Sequence, residues 1–350
     1  KEHEVQVVAS GRAHAYLAER FPEVRRIWGF TLHYEGNAIR RLPTVLRNLR
    51  GAVSGWPRNV RAYFELVASF RPDVVVSDFE SFSYYFGKAH GVPVIDLDNI
   101  HVISRCTHSR ELLRGHEHDF GLVRNVVAAK LPRCFHYVIP TFFYPPVQSR
   151  RTTLVPPVLR PEILAARSEP GEHLLVYQTA TTNRALPETL KRLGVPARVY
   201  GLRRDLTEDM VDGNVTYRPF GEARFIEDLR TARAVVAGGG FSLLSEAVFL
   251  HKPVLSVPVE RQFEQVLNAL YLQDLGYGTR ARRLDDAALE SFLARVPEHT
   301  RALAGYRQDG NALALATLKE QLGLVAARRA RRFRHRRAPG SGSGDATGAA

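Results

Sequence analysis

Sulfur and indole are scarce in this 350-residue chain, which has one methionine, two cysteines and two tryptophans. Two thiols, Cys106 and Cys134, cannot build a disulfide framework. A packed core must hold the fold, as expected of a chain in a reducing cytoplasm. No uninterrupted apolar run reaches the roughly 18 residues that a bilayer-crossing helix needs. What the chain does have is length and a 45% hydrophobic content, sufficient for two cores and hence two domains.

Charge of one sign is in excess, with a formal net charge of +13. Part of it sits in the run RRARRFRHRR from Arg328 to Arg337, which is followed by GSGSG. Such a segment can bind nucleic acid or anionic lipid, but a solvated tail is the commoner outcome. Residues 328–350 are therefore expected to be a basic disordered tail, and nucleic acid is not expected as a partner. Between Arg40 and Arg61, arginines alternate with Leu42, Val45, Leu46 and Leu49 at helical spacing. A basic amphipathic segment of this kind can rest on an anionic membrane, so peripheral contact with the inner membrane face is a further expectation. The competing reading is an ordinary surface helix.

Short β-branched runs alternate with helical segments along most of the chain. Strands are predicted at 5–9, 73–77, 94–97 and 137–139, with helices at 14–20, 60–70, 81–90 and 107–130. Prolines 145, 146, 156, 157 and 161 mark a stiff connection. Beyond it the alternation resumes, with strands at 174–177, 197–200, 215–218, 234–236 and 254–257 and a closing helix near 311–324. Parallel βαβ units in two successive open sheets place a ligand between them, at the carboxyl ends of the strands.

The most informative stretch is AVVAGGGFSLLSEAVFLHKPVLSVPVERQFEQVLN, from Ala234 to Asn268. A strand runs into Gly238, Gly239 and Gly240 and then into a helix. Unpaired amides and the helix dipole favour an anion at that junction. Glu246 follows Ser242 by one helical turn, on nearly the same face. Glu264, Gln265 and Asn268 arrive at the next helix start. The pattern suits a phosphorylated ligand that carries hydroxyls.

These residues resemble the GT-B glycosyltransferases, two Rossmann-like α/β domains facing each other across a cleft. They come closest to the UDP-glycosyltransferases and the peptidoglycan lipid-intermediate GlcNAc transferase. The matching text is GGGFSLLSEA, KPVLSVP and FEQVLNALYLQDLGYG, with VVVSDFE in the first domain and TLVPPVLRPEI at the linker. The resemblance covers the chain to about Gly323. It implies an acceptor-binding domain at 1–155 and a nucleotide-sugar domain at 156–327. It also implies a UDP-sugar as co-substrate with no cofactor or metal, and an acceptor that is lipid-linked, polysaccharide or small molecule. By the same resemblance Gly239, Gly240 and Ser242 hold the diphosphate, and Glu246 accepts from the ribose hydroxyls. Glu264 and Gln265 face the sugar, Phe220 lies by the base, and Thr179 and Thr181 line the phosphate side. Family members open with a strand and a G-x-G-H loop facing the acceptor. This sequence begins at what reads as the second strand, so the histidine of that loop cannot be assigned in it.

Glycosyl transfer also needs a base for the acceptor hydroxyl. Asp98, His101 and Glu80 are the candidates, with Asp78 and Asn99 as acceptor contacts, because both SDFE and DLDNIH follow apolar strands. Asp78 can equally cap the next helix. Asp96-Leu97-Asp98 spells a D-x-D metal signature but is discounted, since the glycine loop already meets the leaving-group charge. His116 and His118 do not converge on a helix. A UDP-sugar 2-epimerase of the same fold, or a catalytically impaired sugar-nucleotide-binding homologue, are the alternatives.

Overall fold

The computed structural model of the chain describes residues 3–21, 23–28, 34–35, 38–39, 59–178, 186–259 and 262–337. It opens with β1 (Val8–Ala9), α1 (Gly11–Ala18), β2 (Arg25–Arg26), β3 (Tyr34–Glu35) and β4 (Ala38–Ile39), then α2 at 59–69. Next come β5 (Val75–Ser77), α3 (Ser81–Ala89), β6 (Val94–Leu97), α4 (Val102–Arg105), α5 (Glu117–Lys130), β7 (His136–Pro140) and β8 (Thr152–Val155). Strands β5 to β8 lie side by side, in chain order and all parallel. Their central strands are apolar because helices cover both faces. Among the described residues no helix is long and apolar enough to cross a membrane.

The second half comprises α6 (Pro161–Ala165), β9 (Leu174–Tyr177), α7 (Leu186–Arg192), β10 (Ala197–Tyr200), β11 (Met210–Asp212), β12 (Val215–Arg218), α8 (Glu222–Arg230), β13 (Ala234–Ala237), α9 (Phe241–Phe249), β14 (Val254–Ser256), α10 (Phe263–Asp274), β15 (Gly278–Arg280), α11 (Asp286–Leu303) and α12 (Ala312–Arg337). Its sheet runs β11-β12-β10-β9-β13-β14-β15. The chain builds outward from β9 to β12, then returns to the other flank of β9 with β13. The strand order reverses there, and a crevice opens at the carboxyl ends of β9 and β13. The α/β class and the two Rossmann-like sheets agree with the sequence reading.

Three expectations need correction. The predicted helix over 107–130 forms only from Glu117; residues before it make turns, with the Thr107 amide tied to the Pro146 carbonyl at 2.8 Å. Helix α12 was allotted to the second domain, yet Ala314, Leu318 and Leu322 pack on Ile95, Val138 and Val155 of the first sheet. Asn311 turns the chain back by clasping Leu159: its Oδ1 accepts from the Leu159 amide at 2.9 Å and its Nδ2 donates to the Leu159 carbonyl at 2.7 Å. Finally, the arginine run from 328 to 337 is not a disordered tail but the end of α12. Arginine is a good helix former, and a helix already docked by its apolar stripe extends through it at little cost.

The two sheets share apolar contacts, and one buried cluster includes Tyr137 and Phe143 with Val235 and Leu244. Phe143 stacks on Tyr271 with centroids 4.0 Å apart, and Phe142 lies over Phe241 at 6.1 Å. Apart from its last three residues, 59–61, the Arg40–Arg61 segment lies outside the described residues.

Candidate functional site

The three glycines after β13 have different physical reasons. A Cβ on Gly239 would stand 2.2 Å from the Gln265 carbonyl oxygen, whereas one on Gly240 would meet nothing within 4 Å. Gly239 is glycine because its loop is pressed onto the start of α10; a ligand is not what requires it. The Gly239 amide donates to Gln265 Oε1 at 3.1 Å and the Val259 amide to the same oxygen at 3.0 Å. Asn268 Nδ2 donates to the Gly239 carbonyl at 3.1 Å. Gln265, expected on the donor sugar, therefore spends its carbonyl bracing the loop and keeps its amide nitrogen for a ligand.

Gly240 starts α9 without any side-chain cap. The Leu244 amide already bonds back to the Gly240 carbonyl at 3.2 Å, which leaves the amides of Phe241, Ser242 and Leu243 without a partner in the helix. All three residues line a cavity of about 580 Å³. Tyr177 and Gln178 at the end of β9 and Ala237 and Gly238 at the end of β13 form its walls, so the cavity lies where the strand order reverses. Phe220 sits on its rim, 73% exposed, with its ring 6.3 Å from that of Phe225. An aromatic ring left this open is available to stack on a planar ligand. Ser242 and Glu246 line the same cavity. Thr179 and Thr181 lie outside the described residues.

Glu246 is 8% exposed and is not free. Arg160, from the linker, donates Nε to its Oε1 at 2.9 Å and Nη2 to its Oε2 at 3.0 Å. The same guanidinium donates Nη1 to Glu222 Oε1 at 2.7 Å. Glu222 in turn is held by Arg20 and by the Tyr16 hydroxyl of α1. Burial pushes the Glu246 carboxyl above its usual range, and Arg160 opposes that shift. Arg12, Tyr16, Arg160 and Glu222 line the cavity too. The sequence reading missed all four, although the linker motif PPVLRPE contained Arg160.

On the first sheet, the strand ends divide into buried and open groups. Asp98 and His101 do not face the cavity of the glycine loop: they are 4% and 1% exposed and bond to one another. Asp98 Oδ1 accepts from the His101 amide at 2.8 Å, and Oδ2 pairs with His101 Nδ1 at 2.7 Å. Asp96 Oδ2 lies 2.7 Å from the same nitrogen. Burial opposes the charge on His101, but Asp96 and Asp98 outweigh it and lift the imidazole to about 9. Burial, then Asp98, pushes Asp96 up to about 8. Burial also works against the Asp98 charge, yet the bonds from Asp96 and His101 hold it below the ordinary carboxylate range. An imidazole that is already protonated and sealed from solvent cannot collect an acceptor's proton. Asn99 is likewise 7% exposed, its Nδ2 spent on the Pro140 carbonyl at 2.9 Å. Glu80 caps its own helix, accepting from the Phe82 and Ser83 amides at 2.8 and 2.7 Å. In this arrangement all four are engaged by partners within the protein.

Asp78 is different. It is exposed at the carboxyl end of β5, beside Phe79, whose φ of 49° is a left-handed value that a bulky residue rarely takes. Desolvation by the surrounding walls, then the charge on Asp98, raises its carboxyl to about 6. From the facing half of the molecule, Glu264 is raised to about 7 by desolvation and then by the charges on Asp98 and Asp78. Glu264, at the start of α10, thus feels the carboxylates of the first sheet's strand ends. Asp96, Asp98 and His101 could together hold a metal ion, with ligand atoms within 4.8 Å of one another. Every one of them is buried, behind the open acid rather than in the cavity.

Comparison with known proteins agrees with this geometry. The family described as glycosyl transferase family 1 matches residues 1–297. An uncharacterised glycosyltransferase of Methanosarcina acetivorans is 26% identical over 321 residues, covering 79% of this chain and 76% of that protein. Among solved structures, the glycosyltransferase of kitacinnamycin superposes with a TM-score of 0.63 at 17% identity, covering 91% of this chain and 92% of that one. LpCGTa, solved in complex with UDP, gives 0.53 at 15% identity with 85% of each chain covered.

Proposed function

The chain belongs to glycosyl transferase family 1, a family of sugar-transferring enzymes, and on that premise we propose a UDP-sugar as donor and an acceptor hydroxyl as target. The observation that carries this reading is the cavity at the β9/β13 reversal, where the amides of Phe241, Ser242 and Leu243, without a partner among the described residues, stand one turn from Glu246. The amides and the helix dipole receive the diphosphate, and supply leaving-group stabilisation without calling on a metal. Glu246 accepts from the ribose hydroxyls once its pairing with Arg160 loosens, and Phe220 stacks on the base. Uridine rests on the motif resemblance, since among proteins of similar fold LpCGTa was solved with UDP and VinC with dTDP.

Residues 1–155, joined by α12, form the acceptor half, and the rest of 156–327 the donor half. The acceptor oxygen attacks the anomeric carbon, its proton passes to Asp78, and the bond to the nucleoside diphosphate breaks with its electrons going to the phosphate. A carboxylate with a pKa near 6 is well matched to that task at neutral pH. Glu264 and the free Gln265 amide nitrogen face the sugar. The acceptor class is lipid-linked, polysaccharide or small molecule, met at the cytoplasmic side.

The test is a panel of UDP- and dTDP-sugars with candidate acceptors, following nucleotide release and thermal shift, with Glu246→Ala as control. UDP should stabilise the protein, and the substitution should weaken that effect. An equal UDP shift in the variant would remove the ribose role. Conversion of UDP-GlcNAc without acceptor would mark a 2-epimerase instead.

A further inference from the structure

A second cavity lies at the other end of the first sheet. Strands β5 to β8 are parallel, so Asp78 and Asp98 mark one end, and the residues just ahead of the strands mark the other. Asp73, Pro93, Phe135 and Arg151, from that second end, line a cavity of about 870 Å³. Lys88 reaches it from the last turn of α3, Arg133 from the loop ahead of β7, and Arg328 and Arg329 from α12. Asp73 is its one carboxylate, and Arg329 already pairs with it. Lys88 Nζ donates to the Arg133 carbonyl at 2.7 Å, a neutral partner that leaves its charge in place. Among the described residues, the guanidinium groups of Arg133, Arg151 and Arg328 have no carboxylate partner. Like charges gathered in one concavity repel one another unless an anion enters.

The backbone supplies an independent sign. Arg133 and Arg151 take φ values of 57° and 58°, in the left-handed region where glycine or asparagine is the easier choice. The turns that lead into β7 and β8 thus each keep an arginine against a conformational cost, and both arginines open into the same cavity. Strain of this kind persists where a side chain is needed for something other than the fold. Planar guanidinium forks match phosphate oxygens two at a time, better than they match a single carboxylate or halide.

We propose that this cavity binds a compact, multiply charged phosphate group, at a site separate from the donor cavity. A free polyphosphorylated metabolite and a phospholipid headgroup share that chemistry. Because α12 contributes Arg328 and Arg329, the bound anion would also fasten that helix to the first sheet.

The test uses the full chain with saturating UDP, so that the donor cavity is filled. Tripolyphosphate is titrated by calorimetry at low salt, and flotation is run with phosphatidylcholine vesicles with and without phosphatidylglycerol. The variant is Arg133→Gly with Arg151→Gly, which removes both guanidiniums while easing both left-handed turns, so misfolding does not confound the result. Binding of tripolyphosphate identifies a soluble ligand; binding only to the anionic vesicles identifies a lipid headgroup. In either case affinity should fall at least about tenfold in the variant, the loss of two charge-assisted contacts, with UDP affinity unchanged. If neither probe binds the wild type, or if the variant binds as tightly, the proposal is wrong.

Discussion

Arg160→Ala removes the guanidinium that satisfies both oxygens of Glu246. Breaking a fully buried ion pair from one side costs about 3–5 kcal/mol, because the other charge is stranded. Here the Arg160 side chain keeps 29% exposure and that of Glu246 11%. Water can therefore recover part of the loss, and about 2–3 kcal/mol is expected. Glu222 adds little, since Arg20 and Tyr16 still hold it. Glu246→Gln strands nothing charged without a partner, for Arg160 retains Glu222, and should cost about 1 kcal/mol. The double variant should cost less than the sum by about 1–2 kcal/mol. Urea unfolding of the wild type, the two single variants and the double variant measures the cycle. The substitution also acts on binding. Burial already raises Glu246, and losing Arg160 removes the opposing influence, so UDP affinity in Arg160→Ala should improve as pH rises and the carboxyl ionises. Strictly additive single effects, or an Arg160→Ala variant within about 0.5 kcal/mol of wild type, would show that the pair is solvent-screened and the reasoning wrong.

Gly239→Ala should lower stability by about 3 kcal/mol or more and weaken UDP binding, because its Cβ meets backbone, while Gly240→Ala should fold normally; thermal melts and UDP titrations of both distinguish them. Asp78→Asn should reduce turnover by about a hundredfold or more and abolish the acid limb near pH 6, with UDP affinity intact; a surviving limb assigns the proton elsewhere. Asp96 and His101 are both raised, to about 8 and about 9 from 3.8 and 6.5, so the folded state binds their protons more tightly than the unfolded state. The stability they add is complete below those unfolded values and is lost as pH climbs to 8 and 9. Melting temperature should fall from mildly acidic to alkaline pH, and His101→Gln should flatten the fall; a rise over the same window contradicts the assignment.

The donor half was legible because its signals are local. A β-branched strand, three glycines and an amphipathic helix dictate a β-turn-α unit by themselves, and Ser242 and Glu246 share a cavity because they share a helix face. What Gly239 packs against was not legible: sequence offers no way to know that Gln265, 26 residues later, is the backbone pressing on it. Asp98, His101 and Asn99 looked like cleft residues because they follow an apolar strand. The sharp turn into α4 instead folds Asp98 and His101 onto one another and turns Asn99 onto the Pro140 carbonyl. Arg160, Glu222 and Tyr16 lie in three elements that meet only in the folded chain. Helix α12 was assigned by chain position, whereas its apolar stripe of Ala314, Leu318 and Leu322 finds the first sheet.

The contrast between the open and buried acids of the first sheet has a consequence for the order of events. Asp78 and Glu264 are raised to about 6 and about 7 before any donor arrives, each first by desolvation and then by the charge on the buried Asp98. A nucleoside diphosphate on the amides of α9 brings further negative charge, which moves both carboxyls upward again. An acid that feels this rise becomes a stronger base towards the acceptor hydroxyl once the donor is seated, and protonation of Glu264 lets it donate to a sugar hydroxyl instead of repelling the phosphate. When the diphosphate departs, both carboxyls fall back and the proton taken from the acceptor is released. The pH at half-maximal turnover should therefore lie above that for Asp78 in the free protein. Comparison of the pH dependence of kcat with that of kcat/KM reads this difference directly, since kcat reports the donor-bound state. A kcat profile whose acid limb falls at or below that of kcat/KM would place the titrating group beyond the reach of the donor's charge, and so outside the cleft.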